Sequence, residues 1–352
     1  MSYRVIQWST GNVGVFALRA ILQNPELELV GVWAHSEDKE GVDAGELCGL
    51  DPVGITATTD AEALLALGAD CVCYTATGDR RTIEAMEDMA RILASGANLV
   101  SCSVAALVHP KSMPQPMVEP LAEACRKGNS SLFASGIEPG FASDTLPLVL
   151  SGLCERWESI RIQEIINYAT YDQPELLFEA FGFGQPLDHT PPLLQPGVLS
   201  FSWGGSLHLM AEGLGLELDE VREVHDRIAT EKAIAIGEHT IEAGTCGALR
   251  FEVQGIIDGK IVLVVEHVTR MDDAVAPEWP SGAGGYRVSI EGVPRMQLEW
   301  EFEDEQGDHT VGGVLITATR LVNAIPAVCE ADSGLLSVLD LPLITGRGLH
   351  GT

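Results

Sequence analysis

Val5-Ile6-Gln7-Trp8-Ser9-Thr10-Gly11-Asn12-Val13-Gly14 is a short apolar run that breaks into a glycine turn. Phe16, Leu18, Ile21 and Leu22 follow at helical spacing. Strand, glycine turn and helix in that order make the βα turn that cradles a dinucleotide. Gly11 lets the backbone approach a pyrophosphate, and Gly14 lets the helix pack on the strand. The free N–H groups of the helix start then face the phosphates. The usual spacing is G-x-G-x-x-G, and Ser9 stands where its first glycine would be. An ordinary strand-to-helix turn without a ligand is the plainer reading. The position of the turn, after a strand and before a helix, favours the dinucleotide.

Outward from this turn, strand and helix patterns alternate. Strands are expected at Val5–Trp8, Leu27–Trp33, Ile55–Thr58, Cys71–Thr75, Asn98–Ser103 and Ser131–Ser135. Helices are expected at Val15–Gln23, Ala61–Leu67, Arg80–Ser95 and Glu119–Arg126. The fold class is therefore α/β, with an N-terminal Rossmann domain built on a parallel sheet. Ligands bind beyond the carboxyl ends of such strands, so the loops from Ser9, Ala34, Thr75, Ser101 and Gly136 should line one crevice. Near residue 145 the pattern changes. Ser159–Tyr168 reads as a strand, Leu218–Ala229 as an amphipathic helix and Gln185–Gly205 as a long loop. Alternating strands follow at Ile234–Glu242, Ala248–Ile257, Lys260–Arg270, Gly285–Glu291 and Gln297–Glu303, with a hairpin turn at Asp258-Gly259. This predicts a C-terminal α+β domain with a mostly antiparallel sheet, whose open face would suit substrate binding or dimerisation. Three regions result: residues 1–145 for the Rossmann domain, 146–311 for the α+β domain, and 312–352 for a helix and tail returning to the first.

The chain has 352 residues, 46% of them hydrophobic, as a globular protein requires. Its net charge of −30 argues against nucleic acid or an anionic membrane as partner. The N-terminus lacks the pattern of a signal peptide, no run of about 18 apolar residues occurs, and the eight cysteines are scattered. A cytoplasmic location is expected. Cys71 and Cys73 lie in an apolar strand, and no histidine pair has zinc-ligand spacing, so metal binding finds little support.

Binding of the ribose 2′-OH by NAD uses an acid at the end of the second strand. Here Glu37 and Asp38 come slightly late, while His35, Ser36 and Lys39 suit a 2′-phosphate, so NADP is preferred over NAD. Ser9, Thr10, Gly11, Asn12, Val13 and Gly14 are expected to hold the pyrophosphate. Thr75, Ala76, Thr77, Ser101, Cys102 and Ser103 are expected to flank the nicotinamide end. Hydride transfer then needs one proton-handling group. The candidates are Glu138 before Pro139-Gly140, His109 in its loop, and Tyr168 with Asp172 to orient its phenol, near Tyr171. Asp144 is read as an N-cap. Solvated turn acids, a loop histidine and core aromatics are the plainer accounts of these residues.

Gln7–Gly14, His35–Lys39 with Asp43–Leu47, Gly136–Phe141, Asn167–Asp172, Phe181–Gly184 and Arg320–Pro326 resemble the dihydrodipicolinate reductase-like proteins of actinobacterial type. That group includes 2,4-diaminopentanoate dehydrogenase and the native amine dehydrogenases, and the resemblance spans nearly the whole chain. It implies a nicotinamide-dependent oxidoreductase acting on a C=N or C=O carbon of a small molecule, and a homodimer formed through the second-domain sheet. It also implies a proton-handling glutamate soon after the fifth strand. The matching stretch, Val100–Leu107, contains no carboxylate. Glu138 is the expected replacement, from a different strand. The alternatives are a non-catalytic cofactor-binding or sensor protein, and a structural homodimer that binds no cofactor.

Overall fold

The apolar run before the glycine turn becomes strand β1, Tyr3–Trp8, with Val5, Ile6 and Trp8 fully buried. This identity holds in a computed structural model that describes residues 2–78 and 81–350. The chain divides into two units, Met1–Phe141 with Val314–Thr352, and Ala142–Gly313.

In the first unit β1 is joined by β2 (Leu27–Trp33), β3 (Ala57–Thr58), β4 (Cys71–Tyr74), β5 (Asn98–Ser101) and β6 (Ser131–Ala134). A late strand, Gly334–Leu336, pairs with β6. All pairings are parallel, in the order β3-β2-β1-β4-β5-β6 followed by the late strand. Strand order reverses between β1 and β4, which places the crevice of a doubly wound sheet at the ends of these two strands. Helix Asn12–Gln23 buries Gly14, Ala17, Leu18 and Ile21, one apolar stripe at i, i+3, i+4 and i+7. Trp8 stacks on Trp33 at 4.9 Å and on Tyr74 at 6.3 Å, tying the three central strands together on one face. The helix expected from Arg80 runs over Thr82–Ala94; Arg80 itself lies outside the described residues. The helix expected at Glu119–Arg126 spans Gln115–Gly128 and ends on Asn129 in the left-handed region, φ 50°.

His309–Glu330 is long and apolar enough, by length and composition, to cross a membrane. Its Ala318, Leu321, Val322, Ala324, Ile325 and Val328 are buried in the core of the first unit, which accounts for that composition.

The second unit contains β7 (Arg156–Asn167), β8 (Glu220–Ala229), the hairpin β9 (Ile234–Ile236) and β10 (His239–Ile241), β11 (Cys246–Ile257), β12 (Lys260–Arg270), β13 (Gly285–Val293) and β14 (Met296–Glu301). Six of these form one sheet, ordered β14-β13-β7-β12-β11-β8, in which only the β7–β12 pair is parallel. Asp258 and Gly259, at φ 50° and 71°, close the β11–β12 hairpin, as a primed turn demands.

Three expectations are corrected. The single strand expected over Ile234–Glu242 is the antiparallel hairpin β9–β10, which turns through Gly237 at φ 55°. Leu218–Ala229 is not a helix: Glu220–Ala229 is the edge strand β8, paired antiparallel to β11. Val221, Val224 and Ile228 recur at helical intervals, but all three are β-branched, and pairing with a neighbouring strand outweighs the local period. The long loop expected over Gln185–Gly205 stops at Gly197, and Val198–Leu214 is a helix. Gly204 and Gly205 weakened its helical signal, yet both are buried, where the absence of a side chain permits close packing.

The β-sheet period of two assigns the strand residues to faces. Ile160, Ile162, Glu164 and Ile166 of β7 share one face with His267 of β12 and Tyr286 of β13, their register neighbours. Helix Val198–Leu214 covers that face, with Trp203 4.8 Å from Phe251 and 4.9 Å from His267. The other face carries an ionic network. Arg161 donates to Glu252 at 2.8 Å and also to Glu266, Arg250 donates to Glu266 at 2.7 Å, and Gln163 donates to Glu266 at 3.0 Å. Glu266 is fully buried among these donors, which satisfy its charge.

Candidate functional site

The turn after β1 is built from its backbone. Gly11 is the N-cap of helix Asn12–Gln23, and the first helical turn holds no acidic side chain. A Cβ on Gly14 would fall against the Ser9 carbonyl, well inside contact distance, so this position admits only glycine. Gly11 is exposed, and only the Ser9 Oγ lies near a Cβ built there, at 4.0 Å. Thr10 is buried, Asn12 exposed and Val13 half-buried. Ser9 sits at φ 81°, the conformation that the motif's usual glycine adopts freely and a serine adopts at a cost of about 1 kcal/mol. A glycine-lined helix start without a competing anion fits a dinucleotide diphosphate.

The other expected cofactor residues surround the same strand ends. Thr75 donates through Oγ1 to the Trp8 carbonyl at 3.1 Å. The loops after β4 and β5 meet: a Cβ on Gly78 would collide with the Ser103 carbonyl, and the Ser103 hydroxyl donates to Tyr74 O at 3.4 Å. Ala76, Ser101 and Ser103 are buried, Cys102 is half-buried and Thr77 is exposed. At the end of β2, His35 is exposed, and half-buried Ser36 stands at the N-cap position of the short turn Glu37–Lys39 without a side-chain capping bond. Lys39 reaches back over the glycine turn, donating to Thr10 O at 3.0 Å and Thr10 Oγ1 at 3.1 Å. Its ammonium is thereby anchored to the glycine turn.

Glu138 is half-buried in an extended turn after β6, preceding a cis proline and Gly140 at φ 146°. Thr317 Oγ1 accepts from Ile137 N at 3.2 Å, and the Arg320 guanidinium lies 5.6 Å from the Phe141 ring centre. His109 is buried between two short 3₁₀ turns, with its carbonyl accepting from the Ser112 hydroxyl at 3.0 Å. Asp144 caps the helix Thr145–Ser151 as expected, accepting from Thr145 N and from Thr145 Oγ1.

In the second unit the structure assembles a cluster that the sequence shows only in part. Tyr168, just beyond β7, donates its phenol to Glu164 Oε1 at 2.6 Å. Tyr286 donates to Glu164 Oε2 at 2.7 Å, and His267 Nδ1 lies 3.1 Å from Oε1. The His267 ring stacks on Phe251 at 4.5 Å. Glu164, His267 and Tyr286 are all more than nine-tenths buried. Burial alone would push the Glu164 pKa up. The charge and hydrogen bond of His267, with the two phenols, outweigh it and hold the carboxyl below its ordinary value. The Tyr168 phenol thus donates to Glu164, and Asp172, the acid expected to orient it, is exposed four residues beyond. Glu164, His267 and Tyr286 escaped the sequence reading because each sits inside a strand pattern. A polar residue in a buried strand face, as Glu164 is between Ile162 and Ile166, was the available signal.

A doubly wound unit with a glycine turn, followed by a unit holding a buried carboxylate between phenols, defines a Rossmann-type oxidoreductase. Residues 141–348 match the family described as 2,4-diaminopentanoate dehydrogenase C-terminal domain. The chain is 44% identical to an amine dehydrogenase of Streptomyces virginiae, over 98% of either chain. It is 23% identical to 2,4-diaminopentanoate dehydrogenase of Acetoanaerobium sticklandii, over 75% of this chain and 72% of that protein. The solved amine dehydrogenase of Mycobacterium smegmatis shares the fold, with a TM-score of 0.80 over 99% of this chain and 98% of its own, at 18% identity. The chain belongs to the family of 2,4-diaminopentanoate and amine dehydrogenases, and it is a dehydrogenase.

Proposed function

We propose that the protein is a nicotinamide-dependent dehydrogenase of small primary amines, with Glu164 as its proton-handling carboxylate. The observation that carries the reading is the buried, two-phenol and imidazole setting of Glu164. The amine class is supported by the 44% identical amine dehydrogenase. When bound, the nicotinamide supplies a hydride acceptor at its C4.

The residues Ser9–Gly14 bind the diphosphate. His35 and Ser36 take the adenosine ribose, and with Lys39 they favour NADP. Thr75, Ala76 and Ser101–Ser103 flank the nicotinamide ribose. As the substrate C–H bond breaks, its electron pair leaves as hydride, and Glu164 accepts one N–H proton, leaving a C=N bond. Water then adds to that carbon and ammonia departs, giving a carbonyl product. Tyr168 and His267 face Glu164 Oε1 and Tyr286 holds Oε2, so Oε2 is the oxygen that keeps a lone pair for the substrate proton. The lowered pKa keeps Glu164 ionised at neutral pH, so it carries no proton of its own before substrate binds. Glu138, the other carboxylate singled out by sequence, is the competing proton acceptor. The same reading makes the protein a cytoplasmic homodimer, and the eight scattered cysteines accord with a reducing compartment.

The test is reduction of NADP and NAD by the purified protein across a panel of primary amines, alcohols and hydroxy acids. We expect turnover with amines and release of ammonia. Cofactor binding without turnover on any amine would reject the reading in favour of a non-catalytic cofactor-binding protein. Turnover on alcohols alone would move the chemistry to C–O bonds.

A further inference from the structure

We infer that Ser9 is a strained ligand of the dinucleotide diphosphate, held in place by a brace of Gln7 and Thr75. The inference rests on the nicotinamide reading above and concerns how this chain departs from the glycine motif.

Ser9 occupies φ 81°, where a glycine would sit without steric cost. Both of its backbone polar groups are tied down. Its N–H donates to Trp33 O at 2.9 Å, and its carbonyl accepts from Gln7 Nε2 at 2.8 Å. The same Gln7 amide nitrogen donates its second hydrogen to Thr75 Oγ1 at 2.8 Å, and the Thr75 hydroxyl in turn donates to Trp8 O at 3.1 Å. Gln7 is fully buried, so this chain of bonds forms without competition from water. Its members lie on β1 and just after β4, the two strands that flank the switch point. The brace thus opposes relaxation of Ser9 to an unstrained φ.

The strain has a use if the hydroxyl does work that a glycine cannot. The Ser9 Oγ lies 4.0 Å from where a Cβ of exposed Gly11 would be, on the turn over which the diphosphate must pass. Among the described residues the Ser9 hydroxyl makes no hydrogen bond, so its proton is available. A hydroxyl on a phosphate oxygen makes a charge-assisted bond, which adds one donor to the N–H groups of the helix start. Ser9 is then a binding residue, and Gln7 and Thr75 are positioning residues that act through it.

The test measures two quantities on each variant of the full chain: thermal midpoint without ligand, and Kd for NADPH, NADH and ADP-ribose. Ser9→Gly should raise the midpoint by about 2 °C because strain is relieved, yet weaken all three ligands about 10-fold because the donor is lost. Ser9→Ala should keep the midpoint of the parent and weaken binding equally. Gln7→Met, which keeps the volume and removes the donor, should weaken binding in the parent but add little in the Ser9→Gly background. Unchanged or tighter binding by Ser9→Gly or Ser9→Ala overturns the inference while leaving the cofactor reading intact. Absence of binding by the parent protein overturns both.

Discussion

The turn after β1 and the cluster around Glu164 solve the same problem, holding polar groups ready for a ligand, by opposite means. The turn uses backbone N–H groups and glycines drawn from six consecutive residues, Ser9–Gly14. The cluster uses side chains from β7, β12 and β13, with Glu164 and Tyr286 separated by 122 positions. A local device leaves a spacing in the sequence. A device assembled by strand register leaves only single polar residues scattered through apolar runs. The comparison explains why the glycine turn is legible in the sequence and the Glu164 cluster is not.

Four substitutions would break or sharpen this contrast. Gly14→Val should have the largest effect, because its side chain must displace the Ser9 carbonyl. We expect dinucleotide Kd to rise more than about 100-fold, read by fluorescence titration, while the second unit keeps its fold. Glu164→Gln should lower kcat about 100-fold through loss of the proton acceptor. Tyr168→Phe leaves the carboxylate but removes one of its donors, and we expect a drop in kcat of about 10-fold, with little change in cofactor affinity. Asp308→Ala is the smallest. Asp308 accepts from Thr310 N at 2.7 Å and Val311 N at 3.1 Å at the start of helix His309–Glu330, and its loss should cost about 1 kcal/mol in urea unfolding without touching kcat.

Acid stability offers a further check on the cluster. The Glu164 carboxyl is held below its ordinary value in the folded protein. Its contribution to stability is therefore complete above the unfolded pKa of about 4.3 and is lost as pH falls through the lower folded value. Glu164→Gln should be less stable than the parent at neutral pH and should lose less stability on acidification below about pH 4. Parallel acid-unfolding curves for the two proteins would show that the carboxylate is not specially stabilised.

Much of the fold could be read from local periods. Leu27–Trp33 and Lys260–Arg270 run as expected from their apolar patterns, and Asp258-Gly259 marks its turn by residue type alone. The edge strand β8 was hidden because Val221, Val224 and Ile228 satisfy a helical period equally well, and only the neighbouring β11 decides between the two. The helix Val198–Leu214 was hidden by glycines that serve packing. Tyr168 is legible from its place after a strand, whereas its partner Glu164, one helical turn away in sequence but two strand repeats away in space, leaves no local spacing to read.

The most direct test of the central claim compares Glu164→Gln with Glu138→Gln, measuring kcat for amine oxidation and Kd for NADPH in each. The account predicts that Glu164→Gln loses about 100-fold in kcat with its Kd within about twofold of the parent, while Glu138→Gln stays within about threefold in kcat. Loss of turnover in Glu138→Gln with Glu164→Gln fully active would contradict it, and would return the proton-handling role to the turn after β6.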